Sequence, residues 1–174
     1  CANIEFVSAN PTGPLSVAHG RQAAVGDVLA RLLRSQGVRV TTEFYLNDEG
    51  RQIEMLGRSL RARYAESIGR PEPFPEDGYH GAYVLASAGT LRKQYGDHLL
   101  DQPLEWFMEE GMKEQLARMK EDLETFGLTF DRWTSQRWLR TSGKVEAALN
   151  TLKAKGVLYQ AEDATWFAST TFGD

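Results

Sequence analysis

A turn at residues 8–20 combines the residue types that bind an anion at the start of a helix. It follows a short apolar run and precedes a segment of helical period that begins near His19, so we predict a strand-to-helix turn. The first N–H groups of a helix have no partner within it and lie at the positive end of its dipole, so a turn that exposes them binds phosphate. Gly13 and Gly20 let a ligand approach the backbone, two prolines stiffen the turn, and His19 is expected to face the same anion.

Two strand-helix pairs are predicted to hold this turn in place. Apolar residues recur at intervals of three and four in the first helix, which Gly37 is predicted to end, and we expect this face to pack on a sheet. Residues 38–45 are rich in β-branched and aromatic types and predict a second strand, and a second amphipathic helix follows it. This order predicts a right-handed parallel crossover with ligands at the carboxyl ends of the strands. The predicted inward residues are Val25, Val28, Leu29, Leu32 and Leu33 in the first helix and Ile53, Leu56, Leu60, Tyr64 and Ile68 in the second.

The remainder of the chain is predicted to be largely helical. Residues 70–101 begin with a proline-rich linker and continue into a short helix, which indicates the start of an insertion. Pro103 begins a long amphipathic helix. A strand through Trp138 is predicted to precede another helix, and residues 157–168 alternate as in a β-hairpin. The residues expected to face inward in that last helix are Val145, Ala148, Leu149 and Leu152.

The composition excludes several classes of protein. With 174 residues, 41% of them hydrophobic and 25% charged, the chain is long enough for one domain with a core. No apolar run approaches the ~18 residues that span a bilayer and no signal peptide is apparent, so a cytoplasmic protein is expected. Cys1 is the single cysteine and the three histidines are dispersed, so no metal site is predicted. A net charge of −4 gives no bulk electrostatic argument for binding nucleic acid.

Residues 8–21, which read Ser-Ala-Asn-Pro-Thr-Gly-Pro-Leu-Ser-Val-Ala-His-Gly-Arg, resemble the signature of class I aminoacyl-tRNA synthetases, and specifically that of bacterial arginyl-tRNA synthetases. Residues 44–53, 130–133 and 166–174 resemble later blocks of the same family in the same order, so the resemblance covers nearly the whole chain. It implies an α/β fold with a Rossmann-type parallel sheet. The expected segments are the first half of the catalytic fold, a helical connective insertion and a return segment of the catalytic domain: 1–69, 70–135 and 136–174.

The resemblance also implies a reaction. Such enzymes join arginine to ATP as arginyl-adenylate and then pass the arginyl group to the terminal ribose of the arginine tRNA. ATP is then a substrate that carries its own Mg²⁺, the protein holds no metal, and the parent enzyme is expected to be a monomer. Because the sequence lacks an initiating methionine, we expect an excised piece that is inactive alone, with the family's lysine-containing phosphate loop and anticodon-binding domain beyond Asp174.

Residue roles follow from the same resemblance. It implies that Glu5 lies near the guanidinium of arginine and that His19, the second histidine of the signature, contacts both substrates and supports the phosphates in the transition state. His19 and Ser16 are therefore the predicted catalytic residues. The residues expected to contact the backbone groups of arginine are Ser8, Ala9 and Asn10. The residues expected to bind ATP are Pro11, Thr12, Gly13, Ser16, Ala18, His19 and Gly20.

Two residues depart from the family's signature, which usually reads His-Val-Gly-His where this chain has Ser16-Val17-Ala18-His19. A serine hydroxyl still donates to a phosphate oxygen, but it is shorter than imidazole and cannot become cationic. We therefore expect a weaker or shifted phosphate contact at Ser16. Ala18 adds a methyl group where adenine is expected to lie close to the backbone.

Two other functions stay open at this point. A small nucleotidyltransferase that activates a metabolite with ATP uses the same kind of turn, although such proteins usually lack both the lead at residues 8–14 and the long insertion. A non-catalytic paralogue derived from a synthetase is compatible with Ser16 and Ala18. Near the second helix, Asn47 and Asp48 either face the substrate or cap the helix, and capping is favoured.

Overall fold

A computed structural model describes residues 1–173, and Asp174, the last residue of the block 166–174, lies outside the described residues. The chain divides into two compact units, one of residues 1–136 and one from Arg137 onward. No helix within residues 1–173 is both long and apolar enough to cross a membrane. The elements in chain order are β1 (Ala2–Glu5), α1 (Val17–Ser35), β2 (Val40–Leu46), α2 (Arg51–Ser67), α3 (Ala82–Tyr95), a 3₁₀ turn (Leu99–Asp101), α4 (Leu104–Thr125), β3 (Arg132–Ser135), α5 (Gln136–Thr141), α6 (Lys144–Ala154), β4 (Leu158–Ala161), β5 (Ala164–Phe167) and a second 3₁₀ turn (Ser169–Phe172).

The first unit is built on a sheet of three parallel strands in the order β1-β2-β3. Pairing sets Glu5 opposite Glu43, and Glu43 opposite Arg132. Helix α1 connects β1 to β2, and helices α2 to α4 connect β2 to β3, so the carboxyl ends of all three strands meet at the same end of the sheet. The predicted α/β class with a parallel sheet is confirmed, and the turn that follows β1 lies at the end of the sheet where ligands bind.

The hydrophobic core of the first unit lies on one face of this sheet. Strand β2 alternates buried and half-buried residues, with Phe44 and Leu46 on the buried side. There they pack against Met119 and Leu123 of α4. Phe44 also stacks on Trp133 of β3, with 4.3 Å between the ring centroids. A second cluster joins α2, α3 and the start of α4: Leu60, Tyr64, Val84, Ala88, Leu91, Leu99 and Phe107.

Helix α1 packs on the sheet through small residues, so the inward face predicted for it is wrong. Its buried residues are Ala23, Gly26 and Ala30. A Cβ on Gly26 would lie 2.2 Å from the Phe6 ring, which shows how closely the helix backbone approaches this aromatic side chain. That approach turns the small residues toward the sheet and leaves the larger ones exposed. Leu33 is half-buried, and the exposed fractions of the others are 64% for Val25, 54% for Val28, 46% for Leu29 and 59% for Leu32.

Helix α2 has the predicted inward face, since Ile53, Leu56, Leu60 and Tyr64 are all buried. Ile68 is half-buried just past the last turn of the helix. Gly57 lies on the buried side as well and allows close contact with α4, because a Cβ at this position would lie 2.9 Å from the backbone nitrogen of Met108.

We expect Gly57→Ala to lower the free energy of unfolding by about 1–3 kcal/mol, because the added methyl group forces the α4 backbone to move. Urea unfolding followed by circular dichroism measures the change. Gly89→Ala in α3 is the matched control, since the space around a Cβ there is open. That substitution is expected to raise the free energy of unfolding by about 0.5–1 kcal/mol through helix propensity alone. Equal effects of the two substitutions would contradict the close packing of α2 on α4.

The second unit contains the predicted β-hairpin. Strands β4 and β5 pair antiparallel with Leu158 opposite Phe167, which confirms this prediction. The turn residues Glu162 and Asp163 both have positive φ, 50° and 56°, as in the primed turns that suit a two-residue hairpin loop.

Two other predictions for this region are wrong. Trp138 lies in helix α5 rather than in a strand, and the N–H of Ser142 donates to its carbonyl over 2.9 Å. A short apolar run is compatible with a strand or a helix, so its periodicity could not decide. The inward face predicted for α6 is not buried either: Val145 and Leu149 are 46% and 45% exposed.

The boundaries predicted between the segments 1–69, 70–135 and 136–174 stay predictions. Helix α4, which falls in the predicted insertion, contributes to the core beside the sheet and to the cluster around α2. The insertion predicted from sequence is therefore packed closely against the segment 1–69. That segment carries the turn at residues 8–20, which we call the signature turn.

Candidate active site

The turn after β1 starts with two residues in an unusual backbone conformation. Val7 and Ser8 have φ values of 68° and 38°, a region that residues other than glycine seldom adopt. Such conformations cost about 1–3 kcal/mol each and persist only where the surroundings enforce them. Here the backbone N–H of Tyr45 in β2 donates to the Ser8 Oγ over 3.0 Å, while the Ser8 hydroxyl donates to the Glu5 carboxylate. Ser8 therefore joins the ends of β1 and β2.

Carboxylates gather at this end of the sheet. The pKa of the Tyr45 hydroxyl is raised, first by burial and then by the negative charges of Asp48, Glu49 and Glu5. Asp48 is buried and accepts a hydrogen bond of 2.5 Å from Ser135 at the end of β3. The N-cap residue of α2 is Gly50 rather than Asn47 or Asp48. This arrangement favours a cationic ligand beside Glu5.

Asn10 is held in one orientation by the second residue of α2. Its Nδ2 donates to Gln52 Oε1 over 2.6 Å, which leaves the Asn10 Oδ1 as an acceptor for another group. The neighbouring Ala9, Pro11 and Thr12 are buried. These three residues therefore have little side-chain surface to offer a ligand, and only their backbone groups are available for a contact.

His19 bonds back to the residue that begins α1. The backbone N–H of Ser16 donates to His19 Nδ1 over 3.0 Å, and the Ser16 Oγ lies 3.1 Å from the same nitrogen. Because Nδ1 accepts from a backbone N–H, a neutral imidazole carries its proton on Nε2. His19 thus offers Nε2–H as a donor at the positive end of the helix dipole. The side chain of Ala18, on the same turn, is exposed.

Five of the predicted site residues line two separate cavities, each of which is also lined by residues of α1. Glu5 and Ser8 line the larger, of about 620 Å³, together with Arg21 and apolar residues of β1 and α1. Ser16, His19 and Gly20 line a smaller one of about 210 Å³ beside α4. Glu5 and Ser8 thus share one cavity, and Ser16, His19 and Gly20 share another. The other predicted site residues line neither of these two cavities: Ala9, Asn10, Pro11, Thr12, Gly13 and Ala18.

Three contacts of this site escaped prediction from sequence. Gln52 and Tyr45 fall in the block 44–53 that carries the resemblance. The resemblance therefore indicated that this block belongs to the same site as the turn, but it did not indicate which contacts the two residues make. Tyr83 had none: it lies 71 residues from Thr12, and its hydroxyl donates to the Thr12 carbonyl over 2.7 Å.

Sequence comparison with known proteins found arginine–tRNA ligases as relatives. No protein-family model matches the chain. The chain is 45% identical to the arginine–tRNA ligase of Bacillus subtilis over 175 residues, which cover 98% of this chain and 32% of that protein. It is 48% identical to the arginine–tRNA ligase of Solidesulfovibrio magneticus over the same shares of the two chains. The chain thus spans about a third of the length of the curated relatives it matches.

Solved structures give the same result. A Campylobacter jejuni protein assigned as an arginyl-tRNA synthetase matches 99% of this chain and 38% of its own, with a TM-score of 0.88 and 34% identity. The arginyl-tRNA synthetase of Thermus thermophilus matches 93% of this chain and 28% of its own, with a TM-score of 0.61 and 21% identity, which shows the shared fold. In sequence and in fold, over nearly its whole length, the chain is similar to a segment of arginyl-tRNA synthetases.

Proposed function

We propose that this chain is the amino-terminal part of the catalytic domain of an arginyl-tRNA synthetase, which ligates arginine to its tRNA at the expense of ATP. The observation that carries the proposal is the 45% identity to an arginine–tRNA ligase over 98% of the chain. The position of the signature turn supports it, because this turn follows β1 at the end of a parallel sheet where substrates bind.

Arginine binds beside β1 in this proposal. The Glu5 carboxylate, fixed by the Ser8 hydroxyl, faces the guanidinium, and Asp48 and Glu49 add negative charge nearby. An ion pair between a carboxylate and a guanidinium gains from two parallel hydrogen bonds. The Asn10 Oδ1, which Gln52 leaves as an acceptor, accepts a hydrogen bond from the substrate ammonium group. Ser8 and Ala9 position this segment rather than offering further charge.

ATP binds at the start of α1. The Pro11, Thr12 and Gly13 backbone and the first turn of the helix approach the nucleotide, with adenine near Ala18 and Gly20. The Nε2–H of His19 donates to a phosphate oxygen, and the Ser16 hydroxyl replaces the imidazole usual in the family. ATP brings Mg²⁺ with it, which neutralises phosphate charge when bound.

The reaction itself requires positioning and charge stabilisation more than covalent help from the protein. A carboxylate oxygen of arginine attacks the α-phosphorus of ATP in line, and the bond to the leaving pyrophosphate breaks. His19 stabilises the charge that develops on the phosphate oxygens. A ribose hydroxyl of the tRNA then attacks the arginyl carbonyl and releases AMP. The parent enzyme in this proposal is a cytoplasmic monomer, and the chain alone is inactive.

Ser16 and Ala18, which depart from the family's signature, favour one alternative function. In that alternative the chain belongs to a synthetase-derived paralogue that binds ligands without catalysis. The two functions differ in what repair of the signature does. In a paralogue, Ser16→His with Ala18→Gly restores a lost activity, whereas in an enzyme the natural residues are already active.

The test is a chimaera in which this chain replaces the matching segment of the Bacillus subtilis ligase. Charging of the arginine tRNA is measured with arginine, lysine and glutamine, and the 174-residue chain is assayed in parallel. We expect charging with arginine only, by the chimaera only. A folded chimaera that charges none of the three amino acids, but gains arginine charging from Ser16→His with Ala18→Gly, would establish the paralogue instead.

A further inference from the structure

Tyr83 of helix α3 makes a hydrogen bond to the signature turn. The Tyr83 hydroxyl donates to the Thr12 carbonyl over 2.7 Å, and Thr12 is only 8% exposed. Burial, with a smaller contribution from Tyr79, raises the pKa of Tyr83, so its hydroxyl stays protonated and remains a donor at neutral pH. The Thr12 N–H donates in turn to the Asn10 carbonyl over 2.8 Å. The bond from Tyr83 therefore holds the middle of a tight turn.

The Tyr83 ring is seated between two glycines, which is a second and independent observation. A Cβ on Gly13 would lie 3.0 Å from the Tyr83 Oη and 3.1 Å from Cζ. A Cβ on Gly81 would lie 2.3 Å from Cε1 of the same ring. The absence of side chains at both positions lets the ring lie directly on the backbone of the turn, so Gly13 serves this packing as well as access for a ligand.

We propose that Tyr83 is a positioning residue for the signature turn: it holds residues 10–13 so that Asn10 faces arginine and the start of α1 faces ATP. Tyr83 touches neither substrate in this inference, which rests on the proposed function for the identity of the two ligands. Its effect passes through the backbone of Thr12 and Gly13. The predicted insertion thereby contributes to catalysis from outside the signature.

Tyr83→Phe in the 174-residue chain tests the hydrogen bond to the Thr12 carbonyl directly, because it removes the hydroxyl and keeps the ring. Amide hydrogen exchange at Thr12, followed by NMR, is expected to become about fivefold faster, as the loss of one net hydrogen bond would allow. Tyr95→Phe is the matched control: it makes the same change on the same helix, where the ring packs on Trp106. Equal exchange at Thr12 in the two variants would overturn the proposal.

The chimaera separates this role from a merely structural one. Tyr83→Phe is expected to raise the KM for both arginine and ATP several-fold at an unchanged melting temperature, while Tyr95→Phe leaves both constants as they were. A fall in melting temperature with unchanged KM values would make Tyr83 structural only. If the chimaera with Tyr83 intact charges no tRNA, the proposed function fails, and the exchange rates at Thr12 still decide whether Tyr83 holds the turn.

A second variant reaches the same contact from the other side. Gly13→Ala places a methyl group against the ring, so it is expected to speed exchange at Thr12 in the natural chain. The same substitution in a Tyr83→Leu background is expected to add little, since the smaller side chain leaves room. Full additivity of the two changes would show that Gly13 and Tyr83 are not coupled through this contact.

Discussion

Replacing His19 by alanine in the chimaeric synthetase is expected to slow arginyl-adenylate formation about 10²-fold or more, the usual loss when one transition-state donor is removed. The reason lies in its geometry. The Ser16 backbone N–H occupies Nδ1, so the donor that remains is Nε2–H, at the start of α1 where the helix dipole already favours an anion. Single-turnover formation of adenylate in the presence of tRNA measures the chemical step apart from product release.

Two further variants identify what His19 supplies. His19→Gln keeps an N–H donor on a side chain of similar reach, so partial recovery of the rate indicates that a neutral Nε2–H is sufficient. His98→Ala is the control, since His98 is an exposed histidine beside the 3₁₀ turn Leu99–Asp101 and is expected to leave the rate unchanged. An unaltered rate in His19→Ala would remove this residue from the mechanism.

The second large effect is expected from Glu5→Gln, which should weaken arginine binding about 10–100-fold, in line with the loss of a hydrogen bond between charged groups. The amide keeps the shape of the side chain and removes the charge that faces the guanidinium. The affinity for ATP is expected to change little, because Ser16 and His19 line a different cavity from Glu5. Equilibrium binding of arginine and of ATP to the chimaera separates the two.

Glu43→Gln provides a close control for Glu5→Gln. Glu43 lies opposite Glu5 in the pairing of β1 with β2, but its carboxylate already accepts hydrogen bonds from Thr134 and Asn3. Those bonds, the one from Thr134 foremost, lower the pKa of Glu43. Its substitution is expected to change arginine affinity less than twofold, within the range usual for sites that do not touch a ligand. Equal losses in the two variants would show that only the general negative charge of this face matters.

Sequence patterns correctly predicted the structural features that depend on interactions between residues close in sequence. The strand-to-helix turn, the parallel order of β1 and β2 and the buried face of α2 all follow from short-range periodicity and turn residues, and each was predicted. The face of α1 was predicted wrongly because periodicity shows which residues share a face and does not show which face meets the sheet. Close backbone approach at Gly26 decides that, and it depends on Phe6, twenty positions earlier.

The residues of the candidate site also differ in whether the sequence could predict them. Residues of the turn could be predicted because they are contiguous, whereas Gln52 and Tyr83 meet the turn only after the chain has folded. Nothing in the sequence around Tyr83 distinguishes it from Tyr79 or Tyr95. Contacts over such separations depend on how α2, α3 and α4 pack together, which a single sequence does not encode in any short pattern.

The exposed apolar face of α1 makes the stability of this chain depend on what binds there in solution. It adjoins β1, one of the two edge strands of the described sheet, so one continuous region offers both apolar side chains and backbone groups for strand pairing. Any molecule that covers this region in the folded state alone shifts the folding equilibrium by mass action, in proportion to the logarithm of its concentration. Where a second copy of the chain covers this region, the melting temperature rises with the protein concentration.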